Sequence, residues 1–215
     1  MPEPSLTQLM PARGTALVLQ ELQNGVVGAE TVFPDLAGAA AKIGVIHNAT
    51  RLVTAARTRG IPVIHATAAN LPDGFGANRN ARLFAAARKA GADNAAGSST
   101  VQPVEPLFEP GDLILPRYHG LSPMADGQLD ALLRNSGISS LVVAGVSLNV
   151  AIPNLVFDAV NHAYRVVVPT DAVAGVPVEY GRQVLDNCLA LIATLTTTTE
   201  VMSAWTGGQP AWTSD

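Results

Sequence analysis

The sequence predicts a three-layer α/β domain, a mostly parallel six-stranded Rossmann-like sheet with helices on both faces. Three observations carry that expectation. Short aliphatic runs recur along the 215 residues, separated by longer stretches with helical spacing. The runs are apolar on consecutive positions, as in strands covered on both faces. Charge is scarce, 14% of residues against 48% apolar, so several helices must bury more than one face.

Each element follows in order. Residues 1–14 are read as an N-terminal extension in which Pro2, Pro4 and Pro11 break any apolar core, so no signal peptide is legible. The first strand is expected over Ala16 to Leu19. A single helix is expected from Leu36 to Arg57, where Ile43, Ile46, Thr50, Val53 and Arg57 recur at spacings of three and four. Strand two is Pro62 to His65, and a helix runs from Ala81 to Lys89 before an irregular Gly91 to Thr100 loop. Strand three, Leu113 to Leu115, precedes a helix over Gln128 to Asn135. Strand four, Leu141 to Ala144, leads into a helix over Val150 to Asn161, and strand five, Arg165 to Val168, into a helix over Val178 to Leu191. A sixth strand is expected near Ala193 to Thr197. The domain then spans 15–205, with a 206–215 tail; Trp205 and Trp212, so near a terminus, point to docking on the domain or on a partner subunit.

Composition excludes several classes of function. A net charge of −4 with no basic run argues against nucleic acid and anionic membrane as partners. The longest apolar runs are strand-sized, whereas a spanning helix needs about 20 residues, so a cytoplasmic, soluble chain is expected. The single cysteine, Cys188, excludes an internal disulfide framework and any multi-cysteine metal site. It shares a helical stripe with Val184, Leu191, Ile192 and Leu195, which reads as an inert core thiol. No histidine pair has metal-ligand spacing, so neither metal nor other cofactor is expected.

In such a fold, ligands bind at the carboxyl ends of the strands. Glu21 stands just past the first strand, as a functional acid or simply a solvated strand-end carboxylate. The stretch Gly145 to Asn154 turns from strand four into a helix that Asn149 can cap, and free N–H groups there suit an anion or oxyanion. After strand two, Arg79 and Arg82 could grip a carboxylate with their planar donor forks, or only anchor a loop or make a subunit contact. His119, after strand three, is placed to move a proton near neutral pH, and His65 could line the same pocket. His47 and His162 read as structural.

Taken together, Leu17 to Asn24, Leu133-Arg-Asn-Ser-Gly-Ile138, Leu141-Val-Val-Ala-Gly-Val-Ser147, Phe157-Asp-Ala159 and Asp171-Ala-Val-Ala-Gly175 resemble the isochorismatase-like cysteine hydrolase superfamily. The resemblance covers about Thr15 to Trp205. In the family's amidases it implies an Asp ending strand one, a Lys ending strand three and a nucleophilic Cys opening the helix after strand four. Here those positions hold Glu21, either Leu115 or Arg117, and Ala151. A methyl group cannot attack a carbonyl, so the covalent thioester route is excluded. A single trapping substitution would not also lengthen the acid and remove the lysine, so the pattern reads as natural divergence. The resemblance also implies a cis peptide between Val146 and Ser147 and a homo-oligomer; the Asp-x-His pair of metal-binding nicotinamidases is absent.

Two functions are therefore expected to compete. The first is a hydrolase acting on a small anionic molecule by acid/base chemistry. Glu21, His119 and Arg117 would be catalytic and Asn24, Arg79, Arg82, Ser147 and Ala151 would form the substrate site. Members lacking the Cys imply vinyl ether cleavage by a protonated strand-one acid, which needs a dry pocket. The second is a catalytically silent binding or assembly protein on the hydrolase scaffold.

Overall fold

A computed structural model describes residues 4–92, 94–125 and 128–207; Trp212 lies outside them. Seven strands form the sheet: β1 (Thr15–Gln20), β2 (Val63–Ala68), β3 (Leu113–Arg117), β4 (Ser140–Val146), β5 (Arg165–Pro169), β6 (Val173–Ala174) and β7 (Thr194–Thr196). The helices are α1 (Leu6–Leu9), α2 (Asn24–Val27), α3 (Pro34–Ile43), α4 (Val45–Thr58), α5 (Arg82–Lys89), α6 (Gln128–Asn135), α7 (Ala151–Asn161), α8 (Val178–Asn187) and α9 (Thr198–Thr206). The strand order is β3-β2-β1-β4-β5-β7, and every pairing between these strands is parallel. The seventh strand is the short β6, which extends the β4 edge through Gly145 and Val146.

Both faces of the sheet are covered, as the consecutive apolar runs require. Leu17, Leu19, Val142 and Ala144 turn to a core completed by α4 residues such as Leu52 and by Trp205 of α9. Ala16, Val18, Leu141 and Val143 turn to the opposite core with Leu129, Leu133, Ile152 and Leu155 of α6 and α7. Trp205, 1% exposed, thus docks on its own domain, and Met10 from the N-terminal extension is equally buried beside it. Among the described residues no helix is long and apolar enough to cross a membrane.

Three of the expected elements run differently, and α1, α2 and α9 were not foreseen. The helix over Leu36 to Arg57 is two helices, because Gly44 adopts a left-handed φ of 82° and its N–H closes on the carbonyls of Ala40 and Ala41, ending α3. Periodicity continues across that break, so spacing alone does not reveal it. β2 runs on to Ala68, which places His65 in mid-strand rather than at its end. The last long helix stops at Asn187; Cys188 leaves helical geometry and Leu189–Leu191 form a single 3-10 turn. The expected buried stripe is broken there: Leu191 is 81% exposed and Cys188 only half-buried.

The register brings the carboxyl ends of four strands into one edge. Gln20 lies beside Ala66 and Gly145, and Ala68 beside Arg117. At Gly145, with φ 121°, a Cβ would lie 2.1 Å from the Gln20 carbonyl oxygen, so only glycine permits this approach of β1 to β4.

Candidate active site

A cavity of ≈ 590 Å³ opens at this edge. Its wall takes Glu21 from the end of β1, Ala68 and the 69–79 loop from β2, Arg117 to Leu121 from β3, and Ser147 to Ala151 from the start of α7. Glu21 turns the chain with a left-handed φ of 53°, its N–H donating to Ala66 O at 2.8 Å. Its Oε1 accepts from Arg117 Nη2 at 2.6 Å and from Gln20 Nε2 at 2.9 Å. Arg117 in turn donates through Nη1 to the carbonyl of Gly120, folding its own loop back under the pair. Both side chains are largely screened from solvent, 16% exposed for Glu21 and 12% for Arg117. Of the two positions open for the family's lysine, Arg117 reaches the acid, whereas Leu115 is buried in the core on the α6 side.

Ala151, the first residue of α7, is 6% exposed and lines the cavity with Ser147 and His119. The Val146–Ser147 peptide is cis. The N-cap of α7 is Val150, which makes no side-chain cap. Asn149 does not cap the helix as expected: its Nδ2 donates to Val176 O and its Oδ1 accepts from Val176 N at 2.8 Å, tying the α7 turn to the segment after β6. The Ala151 N–H, in the first turn, has no intrahelical acceptor available and faces the orphan-donor situation common to helix starts.

The expected substrate set divides. Arg79, Ser147 and Ala151 line the cavity, and Asn24 and Arg82 do not. Asn24 Nδ2 donates instead to Ser99 O at 3.1 Å, holding the 3-10 turn over Ser99–Val101. Arg82 opens α5 on its exposed side. His65 also lies elsewhere: it is 1% exposed on the α4 side of the sheet, with Nε2 3.1 Å from Asp112 Oδ2 and its ring edge against Phe108. Asp112 is gripped by both Nε and Nη2 of Arg57, at 3.2 and 2.5 Å. Burial lowers the His65 pKa from its ordinary 6.5, outweighing the pull of Asp112. For Asp112 burial pushes upward, but the Arg57 hydrogen bond leads a set of donors that holds the pKa below its usual value. His47 is exposed on α4, and His162 Nδ1 stands 3.3 Å from Asp130.

Sequence reasoning missed Gln20 and Gln23. Gln20, 1% exposed, bonds Glu21 through Nε2 while its Oε1 is buried without a partner. Gln23, wholly buried, donates to the carbonyls of Ala68 and Thr100 and accepts from the Ala68 N–H at 2.7 Å, stapling the β1 turn to the end of β2. The available signal was a glutamine pair beside an otherwise aliphatic run, since buried polar side chains must find partners. Arg88, Leu83 and Phe84 of α5 were missed as cavity residues too.

The fold and site define an isochorismatase-like α/β architecture in which a Glu–Arg pair faces the start of the helix after the fourth strand. The model of the Isochorismatase domain matches residues 15–200, and the chain belongs to that family. Ureidoacrylate amidohydrolase RutB of Pseudomonas syringae pv. syringae is 30% identical over 185 residues, covering 79% of this chain and 74% of that protein. The same enzyme of Serratia proteamaculans is 30% identical over 196 residues, covering 80% and 77%. A cysteine hydrolase structure from Pseudomonas syringae pv. phaseolicola superposes with TM-score 0.76 at 22% identity, covering 96% of this chain and 99% of that one. An isochorismatase family protein from Desulfovibrio vulgaris gives 0.75 at 25% identity, covering 90% and 99%.

Proposed function

We propose that this chain is a hydrolase of a small anionic molecule that works by acid/base chemistry, without a covalent thiol intermediate. The observation that carries the reading is the 2.6 Å Glu21–Arg117 pair on the wall that also holds Ala151. The guanidinium holds the Glu21 carboxylate by a charge-assisted hydrogen bond, and Glu21 is given the part of base. This departs from the protonated acid that vinyl ether cleavage would need. Water is the nucleophile: Glu21 takes a proton from it as its oxygen bonds to the substrate carbonyl carbon. The carbonyl π electrons move to oxygen, where the first-turn Ala151 N–H of α7 offers a donor. Collapse breaks the bond to the leaving group, which receives the proton from Glu21. Arg117 orients the carboxylate, and His119 on the same wall is the second group able to move a proton. The relatives named ureidoacrylate amidohydrolases support an amide-type bond as the one cleaved.

The silent-scaffold alternative would suit a cavity plugged by side chains. Of the three side chains that could plug it, Leu115 and Met124 lie in the core on the α6 side, Leu121 is on the cavity wall, and a cavity remains beside Ala151. Hydrolysis of an amide and ester panel by wild type and Glu21→Gln is the test; equal turnover by both would sink Glu21 as the base. The reading includes a cytoplasmic location, a hydrolase domain over 15–205 and at least a dimer. Light scattering that returns a 22.2 kDa particle at working concentration overturns the dimer.

A further inference from the structure

Beyond the chemistry at Glu21, the far part of the cavity wall bears on what is held there. α5 supplies Leu83, Phe84, Ala87 and Arg88 to the lining, positions that share one helical face. None of its eight residues is buried, and Leu83 is 44% exposed. Phe33 and Leu36 of the α3 region join the same lining. An amphipathic helix normally seats its apolar stripe in a core; this one turns it to an open cavity, where it stays wet until something apolar covers it.

The charges there are unbalanced. Arg79 and Arg88 both line the cavity, and among the described residues neither is in an ion pair. Arg117 is engaged with Glu21, and among the described residues Asp73 is the other carboxylate on the wall. Among the described residues the wall carries three guanidiniums against two carboxylates. From the apolar stripe and the spare guanidiniums together, we infer that the ligand is an amphipathic monocarboxylate. Its hydrocarbon chain or ring covers Leu83 and Phe84, and its carboxylate pairs with Arg79 or Arg88. A compact, wholly polar acid would leave the α5 stripe facing water. The inference rests on this cavity being the functional site, but not on the role given to Glu21.

Binding measured without turnover separates the two. Calorimetry on the full chain would use butyrate, hexanoate, octanoate, 3-phenylpropionate and the uncharged 3-phenylpropionamide. Affinity should rise roughly fourfold per added methylene along the fatty acids. The amide should bind about tenfold more weakly than its acid, and an Arg79→Gln/Arg88→Gln variant should lose that preference. Hydrogen exchange across 82–89 should slow with octanoate bound. A flat chain-length series, equal binding of acid and amide, or no binding of any probe overturns the inference. A protein that binds octanoate but hydrolyses nothing defeats only the chemistry proposed for Glu21; one that hydrolyses small polar amides through Glu21 and ignores octanoate defeats only this inference.

Discussion

Arg117 and Glu21 meet at 2.6 Å although they come from β3 and β1, so their ion pair spans the carboxyl end of the intervening β2. A shorter acid and a shorter cation would each have to be placed differently to close the same gap. The pair thus works as a unit, in which the arginine fork holds the carboxylate and carbonyls of its own loop hold the arginine. Replacing Glu21 by Gln keeps the shape but removes the base proposed above, and on that reading hydrolysis should fall by at least about a hundredfold. Arg117→Lys keeps the charge and loses the fork, so its kcat should fall while the chain still folds. Initial rates on the best amide or ester substrate check both.

The start of α7 should accept a thiol. Ala151 opens an eleven-residue helix and lines the cavity, so Ala151→Cys places sulfur at a positive helix end, where the thiolate is favoured. Iodoacetamide should label position 151 well before the half-buried Cys188. Peptide mapping that finds Cys188 modified first would contradict the placement.

Two glycines should respond differently to alanine. At Gly145 the added methyl meets the Gln20 carbonyl oxygen at 2.1 Å, so β1 and β4 must separate. A loss of about 3 kcal/mol or more is expected, with activity falling because Gln20 and Glu21 move together. At Gly44 the nearest atom is Asn48 Nδ2 at 4.0 Å, and only the left-handed φ is penalised. That variant should lose about 1 kcal/mol, or roughly 2–4 °C in Tm. Urea and thermal melts compare them.

Acid should weaken the fold in two separate windows. Above pH 6.5 His65 is neutral whether the chain is folded or not. Below it the unfolded chain takes up a proton that the buried imidazole refuses, so stability declines towards the lowered folded value. Asp112 adds a second decline, because its contribution is complete above its ordinary value of 3.8 and fades as pH falls through its depressed folded one. Urea midpoints at about pH 7.5 and about pH 5.5 should differ more for wild type than for His65→Leu. Parallel shifts in the two proteins would assign the first window to other groups.

How far the fold was legible follows from where its signals reside. The runs at Leu141 to Ala144 and Val166 to Val168 announce buried parallel strands because burial on both faces removes polar alternation. The break at Gly44 was hidden because apolar spacing persists through it, and the left-handed turn is a backbone choice. The stop at Cys188 was hidden for the same reason. In the site, Glu21 and Ala151 were legible by their motif positions. The division of Arg79 from Arg82 was not, since two residues three positions apart at the start of α5 can each face either the cavity or solvent.

By itself the sequence determined the layered α/β class and the lack of a thiol at the start of the α7 helix, because both are written in residues close along the chain. Only the tertiary structure decided which cation meets Glu21, that His65 belongs to the Arg57–Asp112 network rather than the cavity, and that α5 turns its apolar face to open space. Those are contacts between residues such as 21 and 117, separated by 96 positions. Their meeting depends on strand order and register, which local residue preference does not specify.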